Sequence, residues 1–129
     1  MSDLTIDTDK VAPVEILAQF TRPAVAWTYA GVWVYESAAG TLVAATNTVY
    51  GERHGMALRA SVPNGAITVI EEGIVDVGDA LANLAIGAEV YLSTNAGLLA
   101  TTGTVQVGDV TAGLASTTAD KLLHIKKEF

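Results

Sequence analysis

Short apolar and alternating runs, broken by glycine or proline at intervals of roughly eight to twelve residues, cover most of the chain. Valine, isoleucine, threonine and aromatic residues favour strands, whereas glycine and proline supply turns. Many short strands with almost no helix predict an all-β sandwich or a small β-barrel-like domain. The predicted strands cover residues 14–20, 25–29, 32–35, 41–46, 56–62, 66–71, 74–77, 88–93, 98–102, 104–107, 112–117 and 122–126.

One short helix is predicted, over residues 79–84. Asp79 is a suitable N-terminal cap, and Gly87 lies just beyond the expected end of the helix. The segment has room for one or two turns, so we expect at most one short helix in the domain.

Residues 1–11 have a different pattern and are predicted to form an extended N-terminal arm. Residues 12–129 then form a single β-rich domain. In the arm, Leu4 and Ile6 alternate with polar residues. Such alternation in an otherwise hydrophilic segment is typical of a strand that needs a partner.

A weak internal repeat relates the two halves of the chain. Residues 31–37 (GVWVYES) recur as residues 87–93 (GAEVYLS). The repeat predicts two strand–turn–strand–loop–strand units, with Val34 and Val90 facing one way and the tyrosines that follow them facing the other. Chance similarity between β sequences rich in alanine, glycine and threonine is the alternative. The later glycines are matched as Gly40 with Gly97, Gly51 with Gly108 and Gly55 with Gly113.

Composition narrows the possible partners. The 129 residues suit one domain, and only 16% of them are charged, against about 25% in an average soluble domain, so we expect part of the surface to be covered by protein. The net charge is −7, and only three arginines lie between Lys10 and Lys121. This argues against nucleic acid as a partner. No apolar run reaches the roughly 18 residues that a membrane helix needs.

Catalytic signatures are missing from the sequence. The chain contains no cysteine, no nucleotide-binding glycine motif and no HExxH motif. His54, with Glu52 to orient it, is conceivable as a general base, but a solvated loop histidine is the favoured interpretation. Glu71 and Glu72 point to opposite faces if they share one strand. We therefore expect no enzyme, and no catalytic, cofactor-binding or metal-binding residue.

Aromatic residues alternate over residues 27–35. This spacing fits a ligand cleft, but it more often places half of the rings in a core and half at an interface. The interface candidates are Trp27, Trp33 and Tyr35.

The order of several glycine-containing motifs resembles that of a known protein family. The motifs GMAL, NGAITV, EGIV, GAEVYL, GLLATT and VG follow one another along residues 55–108. Over residues 25–126 the chain resembles the capsid decoration proteins of tailed phages, which are also called head-stabilising or cement proteins. Residues 40–73 are similar to the core of the lambda-type head decoration protein, whereas the longer C-terminal half, residues 87–129, departs from that pattern.

The resemblance implies a β-tulip fold and a homotrimer on the outer capsid surface of the virion, after synthesis in the host cytoplasm. Such proteins sit at three-fold and quasi-three-fold positions, where they bind the major capsid protein and stabilise the shell. Several add a strand of their N-terminal arm to that protein. Here the role would fall to Leu4, Thr5, Ile6 and Asp7.

Two alternatives remain. One is a phage head-fibre or tail-associated module that attaches to a host glycan. The other is an enzyme or small ligand-binding β-barrel whose cleft contains Trp27 and Trp33, with convergent polar groups beside them.

Overall fold

The computed structural model describes residues 3–113 and 121–126. Within these ranges the chain forms a 3-10 helix at Thr8–Lys10 and nine strands. The strands are β1 (Val11–Pro23), β2 (Trp33–Glu36), β3 (Leu42–Ala44), β4 (His54–Ala57), β5 (Ala66–Val77), β6 (Glu89–Leu92), β7 (Leu99–Ala100), β8 (Gln106–Ala112) and β9 (Lys121–Ile125).

All nine strands belong to one antiparallel sheet that curls into a half-barrel. Eight of them follow the order β3-β2-β4-β5-β9-β8-β6-β7, and β1 pairs with β5 outside this path. The order is mirrored about the β5–β9 pair, since β4-β2-β3 leads outwards on one side and β8-β6-β7 on the other. The all-β prediction is confirmed.

The mirrored order reflects the internal repeat. In one half Tyr35 pairs with Val43, and in the other Tyr91 pairs with Ala100. Val34 and Val90 are both buried, and the tyrosines that follow them are half-buried, as the repeat predicts.

The predicted matching of the later glycines needs correction. Gly55 pairs with Val34 in the first half, and Gly108 pairs with Val90 in the second. Gly55 and Gly108 are therefore the equivalent residues. A Cβ atom at Gly55 would lie 2.0 Å from the Ile70 carbonyl oxygen, and one at Gly108 would lie 2.4 Å from the His124 carbonyl oxygen. Both positions need glycine because a neighbouring backbone passes so close.

Long strand β5 joins two hydrophobic clusters. Ile70 and Val75 both face the larger cluster, although side chains of a regular strand alternate between faces. The β1–β5 register shifts between Ala18 and Gln19, and such a bulge adds the extra residue that changes the facing. On β2, β4 and β5, adjacent residues face different clusters because side chains alternate along a strand. The residues that face the larger cluster are Trp33, Met56 and Ile70, and their neighbours that face the smaller one are Val34, Ala57 and Val69.

Each outer strand of the mirrored sheet is covered by a segment of the same chain. Ala24 forms a bridge with Leu42 of β3, and Asp3 forms a bridge with Ala100 of β7. These contacts satisfy backbone groups that a bare strand edge would leave open.

Some predicted elements differ from the structure. The predicted strands 66–71 and 74–77 are one strand, β5. Residues 25–29 form no strand; there, Thr28 makes an isolated bridge with Ser61. Residues 79–84 form turns instead of a helix, with bonds from the Ala82 and Leu84 amides to carbonyls three residues earlier. Of the predicted strand 112–117, residues 114–117 lie outside the described residues.

Candidate interaction surface

Strand β1 exposes large apolar side chains along its first half. Leu17 is 61% exposed, and Val14 and Ile16 are also exposed. Val14 and Leu17 have no partner residue in the β1–β5 register, because a bulge places each of them outside the regular pairing. We call Val14, Ile16 and Leu17 the β1 patch. Apolar side chains grouped on one exposed strand favour contact with another protein.

The outer edge of β1 is long. Among the described residues this strand pairs only with β5, so its other side offers backbone groups along 13 residues. Proline occupies positions 13 and 23 and cannot donate there, whereas each of residues 14–22 has a backbone N–H, and in a strand paired on one side about every second N–H points to the free edge. An edge of this kind can accept an extended strand from a partner.

The second half of β1 is fixed to the sheet by an aromatic and ionic cluster. The Arg53 guanidinium lies 4.4 Å from the centre of the Phe20 ring and donates to Glu71 Oε1 at 2.7 Å. The bond to this buried carboxylate raises the pKa of Arg53 above its usual value. On the other side Arg22 donates to Glu36. These contacts hold the strand while its first half remains open to a partner.

A second apolar group lies just beyond the end of β1. Trp27 is 65% exposed, and Val25, Tyr29 and Val62 are also exposed. The Thr28–Ser61 bridge brings their two segments together: each residue's amide donates to the other's carbonyl, at 3.0 and 2.8 Å. Thr28 itself is buried, so its two aromatic neighbours face outwards. We call Val25, Trp27, Tyr29 and Val62 the Trp27 surface.

The interface assignment of Trp33 is wrong for this chain. Trp33 is 1% exposed and belongs to the larger core cluster. Its indole N–H donates to His54 Nδ1 at 3.0 Å. Because Trp33 starts β2 and pairs with buried Met56, its side chain points inwards. Tyr35, two residues later, is half-buried and packs against the same cluster.

The N-terminal segment lies against its own chain. The Leu4 amide donates to the Leu99 carbonyl at 2.8 Å, and Asp3 bridges Ala100, so this segment extends the β7 edge. Leu4 and Ile6 pack against the larger core cluster. The predicted need for a partner strand is therefore met within the chain. Thr5 and Asp7 are exposed.

The Asp3 carboxylate anchors this segment. Ser93 Oγ donates to Asp3 Oδ1 and Asn95 Nδ2 donates to Asp3 Oδ2, both at 2.6 Å. These two bonds favour the ionised carboxylate and lower the pKa of Asp3 below its usual value. Ser93 is fully buried, so the anchor reaches the interior of the domain.

The two histidines lie in different parts of the sheet, and each contacts another side chain. His54 accepts the Trp33 bond through Nδ1, and the Tyr50 ring meets it edge-on at 5.7 Å. His124 Nδ1 lies 3.3 Å from Asp109 on the neighbouring strand. In residues 3–113 and 121–126, no group of three or more His, Asp or Glu side chains is placed to hold a metal ion. Nor does any helix within these ranges have the length and apolar character of a membrane span.

No family model, curated protein or solved structure matches this chain. Any functional assignment therefore depends on the sequence resemblance and on the geometry described above.

Sequence patterns revealed only part of this surface. The aromatic spacing predicts Trp27 as an interface residue, but the run Ile16-Leu17-Ala18 is as apolar as a core strand, and nothing in it marks β1 as an edge. The local pattern predicts Val62 at the end of a strand over residues 56–62, whereas β4 ends at Ala57. The bridge between Thr28 and Ser61 joins segments far apart in the sequence, so the local pattern does not show it. Pro13 and Pro23 are the sequence feature that indicates an edge position for β1, since proline is confined to edge strands, strand ends and bulges.

Proposed function

We propose that this protein is a structural, non-enzymatic component of a tailed-phage virion. It binds the outer surface of the capsid, contacts the major capsid protein and stabilises the shell at three-fold and quasi-three-fold positions. A homotrimer is the proposed form. The observation that carries the proposal is the exposed apolar edge strand β1, which supports the decoration-protein resemblance of the sequence.

Physical chemistry favours this role for such a surface. Strand addition to β1 gives affinity through backbone hydrogen bonds, and the β1 patch adds apolar contact. Three weak copies of one contact bind more tightly than one, because the later contacts form at high effective concentration. A net charge of −7 is compatible with solubility before assembly.

The capsid contact is assigned to the β1 patch and the Trp27 surface. The resemblance assigns it to Leu4, Thr5, Ile6 and Asp7, but the apolar side chains of that segment face the chain's own core. They would reach a capsid only after leaving this position. The proposal therefore does not depend on them.

Co-sedimentation with expanded empty capsids of a tailed phage tests the proposal. Leu17→Ser and Trp27→Ala should each weaken binding at least tenfold, about 1.4 kcal/mol, because each removes exposed apolar contact area. The matched controls are Val49→Ser and Tyr50→Ala, exposed residues outside both surfaces, and these should bind as the unchanged protein does.

Two outcomes would contradict the assignment. If all four variants decorate capsids at the occupancy of the unchanged protein, the surfaces are wrong. If the unchanged protein binds no capsid but binds a glycan array through Trp27, the host-attachment alternative is correct.

A further inference from the structure

The place where the N-terminal segment docks has the properties of a general acceptor for one extended strand. Backbone bonds come from Leu99 and the Ala100 bridge, and polar bonds come from Ser93 and Asn95. Gly31 completes it, since a Cβ atom there would lie 2.8 Å from the Ile6 side chain. We call Gly31, Ser93, Asn95, Leu99 and Ala100 the acceptor groove.

Every contact in the acceptor groove joins residues far apart in sequence. Asp3 meets Ser93 and Asn95 across about ninety residues of chain. None of these bonds depends on the docked segment and the groove belonging to the same chain. An identical segment from another copy would make the same contacts, which is the condition for exchange of an element between protomers.

The connector between segment and domain places little restraint on this exchange. Thr8–Lys10 contains no buried residue, and Asp7 is exposed as well. Its internal bonds are local: the Asp9 amide donates to the Asp7 carboxylate and the Lys10 amide to the Asp7 carbonyl. A change of direction here would expose no buried side chain of the connector itself, and an incoming copy of Leu4 and Ile6 would cover the core surface that the departing segment leaves.

The groove also adjoins the surface that is expected to meet another protein. A recess of about 170 Å³ beside the docked segment is lined by Leu4, Ile6, Tyr29 and Leu98, among others. Tyr29 belongs to the Trp27 surface, and Leu98 is exposed. Copies that meet through this region would bring each groove near another copy's N-terminal segment.

We propose that the acceptor groove binds the N-terminal segment of a second copy of this chain, so that neighbouring copies are linked by exchanged strands. The pattern that it recognises is an acidic residue followed by two alternate apolar residues, as in Asp3, Leu4 and Ile6. The proposal adds a route of self-association to the proposed function and does not depend on capsid binding.

Disulfide trapping tests the exchange, because the chain has no cysteine of its own. The Leu4 amide bonds to the Leu99 carbonyl, so Asp3 and Ala100 form a pair of the non-hydrogen-bonded type, with Cα atoms about 4.5 Å apart. This separation suits a disulfide. Full-length Asp3→Cys and Ala100→Cys chains are mixed and oxidised gently without any capsid present.

Exchange predicts a disulfide-linked heterodimer whose yield is at least tenfold that of a control mixture of Asp3→Cys with Ile86→Cys, a cysteine on an exposed residue outside the groove. A synthetic peptide of residues 1–10 in excess should reduce the yield, since it competes for the groove. A yield equal to the control, or one that the peptide does not change, overturns the proposal.

A second pair keeps the Asp3 anchor intact. Thr5 and Leu98 follow two positions along in the same register, and both are exposed, so Thr5→Cys and Leu98→Cys change little else. This mixture should also form the heterodimer above its Ile86→Cys control. Because both experiments omit the capsid, a failure of exchange is distinct from a failure of capsid binding.

Discussion

Two tryptophans six residues apart have opposite environments, and the difference is set by single neighbours. Trp27 precedes Thr28, whose bridge to Ser61 turns the threonine inwards and both aromatic neighbours outwards. Trp33 begins β2, pairs with Met56 and donates to His54. The sequence shows the alternation of aromatic residues, but the burial of each ring depends on partners more than twenty residues away.

Alanine substitution should separate the two tryptophans. Trp33→Ala should lower the free energy of unfolding by about 3–5 kcal/mol, because it leaves a cavity in the larger core cluster. Trp27→Ala should change it by less than about 0.5 kcal/mol, as expected for an exposed residue. Urea unfolding followed by circular dichroism measures both. Equal losses in the two variants would contradict the assignment of Trp27 to a surface and Trp33 to the core.

At the scale of elements, the strands of the repeat were largely predictable and the N-terminal segment was not. The tyrosine-containing strands β2 and β6 overlap the predicted strands 32–35 and 88–93, and the repeat relates the two. The alternation of Leu4 and Ile6 predicts a strand that needs a partner. In the structure Asp3 makes an isolated bridge with Ala100 of β7 in the same chain, and Thr8–Lys10 forms a 3-10 helix. Alternation identifies an edge-pairing strand without naming the edge, because register depends on contacts distant in sequence.

Docking of the N-terminal segment should depend on pH through Asp3. Its pKa is lower when docked than its ordinary value of 3.8, because Ser93 and Asn95 donate to the ionised carboxylate. Asp3 therefore stabilises docking above that ordinary value, and the contribution is lost as the pH falls through the lower docked-state pKa. The Leu4 amide should exchange with solvent faster as the pH falls from about 6 to about 2, after correction for intrinsic exchange.

An Asp3→Asn variant is the control for this titration. It has no carboxylate at that position, so the corrected protection of its Leu4 amide should not follow the same pH change. If the unchanged protein and the variant titrate alike, another group governs the docking of the segment.

At the scale of the whole molecule, strands β5 and β9 form the centre of the mirrored sheet. In the described residues β5 pairs with β1 along one edge, and with β4 and β9 along the other. The all-β class could be predicted from short strands and frequent turns. The mirrored strand order could not be predicted, because the two halves share few residues. In addition, Gly55 and Gly108 are equivalent in space, but the sequence repeat does not match them with each other.

Hydrogen exchange should show this arrangement. The paired amides of β5 and β9 around Val75 and Leu123 should be the most protected, because opening them requires the two halves to separate. Amides of the outer strands β3 and β7 should exchange at least tenfold faster. Mass spectrometry of the exchanged chain after proteolysis measures the difference. Equal protection of β7 and β9 would show that the sheet opens as one unit.

The segments that cover the outer strands β3 and β7 affect whether the repeated sheet can extend by pairing with other chains. Two half-sheets built from the repeat alone would end in uncovered strands, and such strands can pair edge to edge with other chains and form fibrils. Here the covering residues lie outside the repeat. Asp3 and Leu4 cover β7, and Ala24 and Val25 cover β3. These four residues therefore limit growth of the sheet at β3 and β7, and we expect a change in either short stretch to affect pairing between chains at those edges more than it affects the core.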